Sequence, residues 1–131
     1  MDPKPLQDVV RRHRIRLLLQ FGSTVTGRAR PDSDLDLAVM LDRLPETLQE
    51  HAALVQDLQG LYPGRQVDVA ILNRADPLLL KQVTAACVLL HGTNRALAEL
   101  KMYAFRRYQD HKKYFDLERA YVARAIGGVA R

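Results

Sequence analysis

Two short segments in the first third of the chain set its predicted strand pattern: FGSTVTG at residues 21–27 and SDLDLAV at residues 33–39. The apolar run that ends at Phe21 is typical of a β-strand, and the glycine and serine that follow it predict a turn. Apolar residues alternate along residues 35–41, which predicts a second strand with one face toward a core. The two segments therefore predict a strand, a turn and a second strand that begins beside two aspartates.

Helical and strand-like segments alternate along the rest of the chain. The predicted strands cover residues 15–21, 35–41, 66–72 and 87–90, and the predicted helices cover residues 5–14, 45–58, a short segment from Asp76 and residues 93–126. This alternation predicts an α/β (α+β) fold, in which helices flank a small mixed β-sheet. The last helix has a predicted length of about 50 Å at about 1.5 Å per residue, so it is expected to extend beyond a small core.

Two helix starts are predicted from local residue preferences. Pro45 followed by Glu46 favours the start of the second helix, and Asp76 followed by Pro77 favours an N-cap and a first helical residue. The second helix is expected to pack through an apolar stripe of Leu48, Ala52, Val55 and Leu58.

The composition indicates one ordinary globular domain. The chain has 131 residues, of which 47% are hydrophobic and 27% are charged, and Cys87 is its single cysteine. A disulfide framework and a cysteine-based zinc site are therefore excluded. The apolar runs are far shorter than the roughly 20 residues that span a bilayer, and the first residues lack an apolar signal core. These features predict a cytoplasmic protein without a membrane partner.

The excess positive charge is concentrated near the end of the chain. Residues 1–92 contain 11 basic and 11 acidic side chains, whereas residues 93–131 contain 9 basic and 4 acidic ones. The net charge of +5 therefore lies in the last third. A nucleic acid, an acidic protein or a phosphorylated ligand would each complement this charge, and a solvated helix face would also account for it.

Three aspartates form the candidate catalytic group. Asp34 and Asp36 are two residues apart at the start of a predicted strand, so their side chains project to the same face. Asp68 interrupts an apolar segment whose composition predicts a central strand, where an unpaired carboxylate is costly. Carboxylates that share a face repel each other unless a cation lies between them, and Mg²⁺ prefers such oxygen ligands. The pattern predicts a site for two metal ions suited to phosphoryl transfer.

Gly22 and Ser23 form a candidate phosphate-binding turn. A glycine directly after a strand allows a phosphate to approach the backbone, and the serine hydroxyl adds a donor. Arg28 and Arg30 in the following loop are further candidates for contact with phosphate oxygens.

A purely structural interpretation of the three aspartates is the alternative. In that interpretation Asp34 is a turn residue, Asp36 is an exposed acid on a strand, and Asp68 belongs to a buried ion pair.

The spacing of these residues resembles the nucleotidyltransferase superfamily of DNA polymerase β. Gly22-Ser23 is followed by ten residues, then by Asp34-Leu35-Asp36, and later by Asp68 on another predicted strand. The short length is similar to that of the minimal nucleotidyltransferase (MNT) branch. The resemblance implies a nucleotidyltransferase fold, with a core at residues 1–92 and a C-terminal helix at residues 93–131 as parts of a single domain.

The resemblance also implies a role for each site residue. Gly22 and Ser23 would bind the triphosphate of ATP. Asp34 and Asp36 would hold two Mg²⁺ ions, and Asp68 would complete the metal site on the side of the acceptor hydroxyl. The acceptor oxygen would then attack the α-phosphorus and release pyrophosphate, which makes the three aspartates both catalytic residues and metal ligands.

The long C-terminal helix resembles that of MntA-type antitoxins, which pair with HEPN toxins. This resemblance implies an enzyme that moves AMP from ATP to a tyrosine of its cognate HEPN ribonuclease toxin and forms a hetero-oligomer with it. The alternatives are a non-catalytic antitoxin that silences the toxin by binding and a small-molecule nucleotidyltransferase of the antibiotic-modifying type. Direct binding of nucleic acid is not expected. A template-dependent polymerase is excluded separately, since the chain leaves no room for a duplex-gripping domain.

Three tyrosines indicate how the last helix contacts a partner. At about 100° per residue, Tyr103, Tyr114 and Tyr121 fall within about 20° of a common line. This aromatic stripe predicts a protein interface, whereas the alternative is a helix that packs on its own sheet alone.

Overall fold

The computed structural model describes residues 3–27 and 34–129, so Arg28 and Arg30 lie outside the described residues. Its elements in chain order are α1 (Pro3–His13), β1 (Ile15–Phe21), α2 (Ser23–Thr26), β2 (Leu35–Leu41), α3 (Leu48–Gly60), β3 (Val67–Ile71), a 3-10 turn (Leu72–Arg74), α4 (Pro77–Ala85), β4 (Cys87–His91) and α5 (Asn94–Val129). The bounds of β1 and β2 agree with those predicted from the apolar patterns.

Within the described residues the strands form one mixed four-stranded sheet in the order β3-β2-β1-β4. β1 is antiparallel to both β2 and β4, and β2 is parallel to β3. The register places Phe21 opposite Asp36 on one side, and Asp36 opposite Asp68 on the other. This architecture confirms the predicted α/β (α+β) fold with a small mixed sheet.

Helices cover both faces of the sheet and create two apolar cores. The first core combines α1 and α3 with alternate residues of β2, namely Leu35, Leu37, Val39 and Leu41. The second core combines α4 and α5 with the opposite face of the sheet, including Phe21 and Ala38. Because side chains alternate along a strand, Asp36 projects to the same face as Ala38. The Asp36 carboxylate is therefore on the side of the sheet that α4 and α5 cover.

The predicted start of α3 is wrong, and its predicted packing face is confirmed at Leu58 but not at Leu48 and Ala52. Thr47 caps the helix by accepting a hydrogen bond from the Glu50 amide at 3.1 Å, so Pro45 lies in the preceding loop. The buried face consists of Leu54 and Leu58, whereas Leu48 is 84% exposed and Ala52 is also exposed. The side-chain cap places the first turn later in the sequence, and a different face of the helix meets the sheet.

The predicted central position of the strand that carries Asp68 is also wrong. β3 is an edge strand with β2 as its neighbour, and Asp68 is exposed. The apolar character of this strand reflects its first-core face, where Val67 is buried and Val69 and Ile71 pack against the same cluster. The cost of burying an unpaired carboxylate therefore does not apply to Asp68. The pairing register of β3 with β2 is what places Asp68 next to Asp36.

The last helix extends well past the sheet, as predicted. Its 36 residues correspond to about 54 Å. Leu100 and Ala104 are buried against α4, but the side chains from residue 112 to residue 126 are exposed. In the part of the chain that the structure describes, no helix is both long enough and apolar enough to cross a membrane.

Candidate active site

Two of the three predicted aspartates lie directly opposite each other on neighbouring strands. Asp36 on β2 pairs in register with Asp68 on β3, and the two strands are parallel. Paired residues of neighbouring strands point to the same face, and the strand axes are about 4.8 Å apart. Asp34 immediately precedes β2 and is exposed. The sheet therefore pairs two of the three carboxylates that the sequence analysis selected, and Asp34 precedes Asp36 by two residues.

The electrostatics of Asp36 show that the three carboxylates influence each other. Partial burial raises the pKa of Asp36 above its usual value of 3.8, and the negative charges of Asp68 and then Asp34 raise it further. Each of these effects disfavours the ionised form of the Asp36 carboxyl group. A cation held between the carboxylates would reverse that balance, since it favours the charged form of all three.

Gly22 lies directly against the carboxylate of Asp36. Its φ of +82° lies in the left-handed region, and a Cβ atom built on it would be 2.3 Å from Asp36 Oδ2. Glycine is therefore required twice, by its backbone conformation and by the proximity of the carboxylate. The sequence analysis assigned Gly22 to phosphate approach, and the structure adds the contact with Asp36.

The turn after Gly22 is a short helix fixed to the end of β1. The Gly22 carbonyl accepts hydrogen bonds from the amides of Val25 and Thr26 at 3.1 and 3.2 Å. Gln20 donates from Nε2 to the Thr24 hydroxyl at 3.0 Å, which ties the helix to the strand. Ser23 is the first residue of α2 and directly follows Gly22, the residue whose ideal Cβ would meet the Asp36 carboxylate.

The donor set fits a hard divalent cation in chemical type and charge. The three carboxylates lie at the start of β2 and β3, and the pKa of Asp36 is raised first by burial and then by the charges of Asp68 and Asp34. Among residues 3–27 and 34–129, no three His, Cys, Asp or Glu side chains converge as closely as a metal site requires. Asp34, Asp36 and Asp68 would have to draw closer together to hold Mg²⁺, whose usual ligands are oxygen atoms.

Gln59 is a residue near the site that the sequence analysis missed. Its side chain binds the backbone at the start of β3, one residue before Asp68. A single glutamine at the end of a predicted helix carries no periodic signal. Its position next to the buried Leu58, on a helix face that packs inward, is the feature that could have indicated it.

Comparison with protein-family models gives one match, described as polymerase beta, nucleotidyltransferase, over residues 4–96. A search among curated proteins finds no match. The matched region contains β1 to β4 and the three aspartates, so it coincides with the candidate site.

Solved structures with the same fold include toxin–antitoxin complexes. A toxin–antitoxin structure with AMP-PNP aligns with a TM-score of 0.72 at 22% identity, over 96% of this chain and 98% of that chain. A tri-AMPylated Shewanella oneidensis HEPN toxin in complex with MNT antitoxin aligns with a TM-score of 0.65 at 21% identity, over 92% of each chain.

A drug-modifying enzyme shares the fold as well. The spectinomycin adenyltransferase AAD(9) from Enterococcus faecialis, solved with ATP and spectinomycin, aligns with a TM-score of 0.55 at 18% identity. The alignment covers 81% of this chain and 62% of that chain, so this chain spans less than two thirds of the adenyltransferase.

Proposed function

Because this chain belongs to the polymerase beta nucleotidyltransferase family, we propose that it is an antitoxin that transfers AMP from ATP to a tyrosine hydroxyl of a HEPN ribonuclease toxin. The observation that carries the proposal is the in-register pairing of Asp36 with Asp68 beside Gly22. The fold shared with complexes of a HEPN toxin and an MNT antitoxin supports this choice of partner.

The proposed chemistry assigns a separate task to each site residue. Gly22 and Ser23 bind the triphosphate of ATP through the backbone and the hydroxyl group of the turn. Asp34 and Asp36 hold two Mg²⁺ ions, and Asp68 completes the set on the side of the acceptor. When bound, the ions neutralise the triphosphate and lower the pKa of the acceptor hydroxyl.

The transfer step exchanges one phosphorus–oxygen bond for another. Asp68 helps to take the proton from the tyrosine hydroxyl, and the tyrosine oxygen bonds to the α-phosphorus of ATP. The bond between the α-phosphorus and the bridging oxygen breaks, and pyrophosphate leaves. The product is a toxin tyrosine with a covalently attached AMP group.

The exposed part of α5 is the proposed surface for the toxin. Tyr103, Tyr114 and Tyr121 are 40%, 65% and 74% exposed, which fits aromatic anchors of an interface better than core residues. We place the complex in the cytoplasm as a hetero-oligomer. Residues 1–92 and residues 93–131 act as one domain in this proposal, since α5 packs on α4 before it extends outward.

The decisive experiment is an intact-mass assay of a HEPN toxin incubated with this chain, ATP and Mg²⁺. The expected result is a toxin mass raised by whole AMP units, with the modified tyrosine located by peptide mapping. The matched control is the chain with Asp34→Asn and Asp36→Asn, which is expected to leave the toxin mass unchanged.

Two alternative functions are distinguished by the same assay. A toxin that is inhibited equally by wild-type chain and double variant, without any mass change, would indicate silencing by binding alone. Transfer of AMP to spectinomycin, but not to the toxin, would indicate a small-molecule nucleotidyltransferase. The shared fold with the spectinomycin enzyme supports including that drug as an acceptor.

A further inference from the structure

One side chain, that of Gln59, closes the loop between α3 and β3. Its Oε1 accepts a hydrogen bond from the Val67 amide at 2.9 Å. Its Nε2 donates to the Arg65 carbonyl and, at 3.3 Å, to the Tyr62 carbonyl. The amide group therefore uses both its donor and its acceptor on backbone that leads directly into the strand carrying Asp68.

Gln59 is held firmly by the helix from which it projects. The preceding residue, Leu58, is fully buried in the first core, and Leu54 one turn earlier is 1% exposed. Because α3 is fixed to the sheet by these two leucines, the Gln59 amide forms a fixed point for the start of β3.

The register of β3 determines whether Asp68 reaches the site at all. β3 is an edge strand of five residues, so a neighbouring strand, β2, pairs with it on one side only. A slip of one residue would turn Asp68 to the opposite face of the sheet, away from Asp36. The Leu35 amide donates to the Gln66 carbonyl at 2.8 Å, and this hydrogen bond begins the ladder between β2 and β3. Gln66 directly precedes Val67, whose amide donates to Gln59.

We propose that Gln59 is a positioning residue, which keeps β3 in the register that places Asp68 opposite Asp36. It touches neither nucleotide nor acceptor and acts through the backbone of β3. The inference rests on the function proposed above, in which Asp68 serves the acceptor side of the reaction.

The chain contains a matched amide at the other end of the same sheet. Asn73 donates from Nδ2 to the Leu41 carbonyl at 2.7 Å and accepts from the Leu41 amide at 2.9 Å. Leu41 is the last residue of β2, about 20 Å from Leu35 at about 3.3 Å per residue. Asn73 therefore serves as a control with the same chemistry, far from the carboxylates.

The first test compares Gln59→Met with Asn73→Leu in AMP transfer and in ATP binding. Both variants are expected to lower the melting temperature by similar amounts, because each removes side-chain bonds to backbone groups. Gln59→Met is expected to lower kcat by about tenfold or more, since a misplacement of about 1 Å is that costly. The Kd of Gln59→Met for ATP is expected to stay within about threefold of wild type. The kcat of Asn73→Leu and its Kd for ATP are expected to stay within the same range.

Equal losses of kcat in the two variants would overturn the proposal, because the effect would then follow stability alone. If Gln59→Met does not fold, Gln59→Asn replaces it. That variant keeps an amide group, but its side chain is one methylene shorter and no longer reaches the Val67 amide. An unchanged kcat in this variant would also overturn the proposal.

A double variant shows whether Gln59 acts through Asp68. In the background of Asp68→Asn, adding Gln59→Met is expected to cause little further loss of the residual turnover, because the positioned carboxylate is already gone. Losses that multiply independently would contradict the proposal.

Binding of Mn²⁺, followed by electron paramagnetic resonance, separates this inference from the proposed function. Gln59→Met is expected to weaken Mn²⁺ binding, whereas Asn73→Leu is expected to preserve it. If wild-type chain transfers no AMP, the proposed function fails, and Mn²⁺ binding still tests the placement of Asp68. Equal Mn²⁺ affinity in wild type and Gln59→Met would overturn the positioning role.

Discussion

Gly22 has no side chain, and the space that a side chain would fill holds the Asp36 carboxylate. Any Cβ at this position would occupy the space of Asp36 Oδ2, and the same residue has a positive φ. Gly27 also has a positive φ, of +79°, but it is in the αL conformation with ψ 8°, whereas Gly22 has ψ −155°, and nothing lies within 4 Å of the ideal Cβ of Gly27.

Gly22→Ala is expected to reduce AMP transfer by about 100-fold or more, since it displaces Asp36. Gly27→Ala is a control for a positive φ in the same turn, expected to lose about 1 kcal/mol of stability from backbone strain and little activity. Gly22→Ala is expected to lose more stability, because ψ −155° is a conformation that glycine alone adopts readily. Steady-state kinetics and thermal unfolding of both variants check this prediction, and similar activity losses would show that the contact with Asp36 does not set the activity.

The raised pKa of Asp36 leads to a prediction about stability and pH. A carboxyl group whose folded-state pKa is raised destabilises the fold when ionised, so the cost is present above the folded-state pKa and absent below the unfolded value near 3.8. Asp36→Asn, without divalent cations, is therefore expected to unfold at a higher temperature than wild type at pH 7. The difference should disappear below pH 3.8. A variant that is less stable at pH 7 would contradict the raised pKa of the Asp36 carboxyl group, which burial and then the charges of Asp68 and Asp34 cause.

At the scale of elements, α1 and α3 are joined by a charged cluster at Asp57. The Asp57 Oδ2 atom is 2.6 Å from His13 Nε2 and 3.0 Å from Arg12 Nη1. The hydrogen bond from His13 is the main cause that lowers the pKa of Asp57 below 3.8, with Arg12 adding to it. Asp57 thereby contributes stability above its unfolded pKa, and that contribution is lost as the pH falls through the lower folded value.

Asp57→Asn is expected to destabilise the protein by about 1 kcal/mol at pH 7, because it removes charge-assisted bonds between two helices. The difference from wild type should shrink as the pH falls from 3.8 through the lower folded-state pKa, because the carboxyl group of the unfolded chain binds a proton before that of the folded chain. Chemical unfolding at both pH values measures it. Glu99→Gln, which breaks an exposed pair with Arg95, is the control and is expected to have little effect.

The elements also show how far the sequence alone could lead. β1 is an apolar run that ends just before Gly22, and β2 is an apolar run that begins just after Asp34, so local patterns predict both strands. Asp76 caps α4 as expected. The packing face of α3 was predicted only in part, at Leu58, because the apolar residues of this helix do not mark one face clearly. Leu48 and Leu54 point to different sides, and the contact with the sheet selects the second.

The order of strands is a further property that local patterns do not contain. Val67 and its apolar neighbours look like a central strand, but β3 is an edge strand that is buried at Val67, exposed at Asp68 and partly buried from Val69 to Ile71. The register places Asp36 opposite Asp68, as expected for neighbouring strands, whereas the roles of the three aspartates stay a prediction. Gln59 was beyond reach, because a hydrogen bond from a helix to a loop depends on tertiary structure.

At the scale of the whole molecule, the compact part and the exposed part of the chain differ in charge. The excess of basic residues lies in residues 93–131, which α5 mostly occupies. Arg106, Lys112 and Lys113 are exposed on this helix together with the tyrosine stripe. A basic and aromatic helix of this length suits a partner with an acidic surface, because charges steer the encounter and aromatic rings anchor the complex.

Tyr114→Ala combined with Tyr121→Ala is expected to weaken the complex with the toxin by more than about 2 kcal/mol, the order of hot-spot aromatic residues. The two rings are 65% and 74% exposed, so the chain should fold without them. Alanine also favours the helix, which keeps the backbone of α5 intact. Isothermal titration of the toxin with the double variant measures the loss, and AMP transfer to a non-protein acceptor should change little. Leu48→Ala, at an apolar site that is 84% exposed on α3, is the control and should bind like wild type. If the tyrosine variant also binds like wild type, the toxin must contact another surface, and the long helix would need a different partner to account for its exposed aromatic stripe.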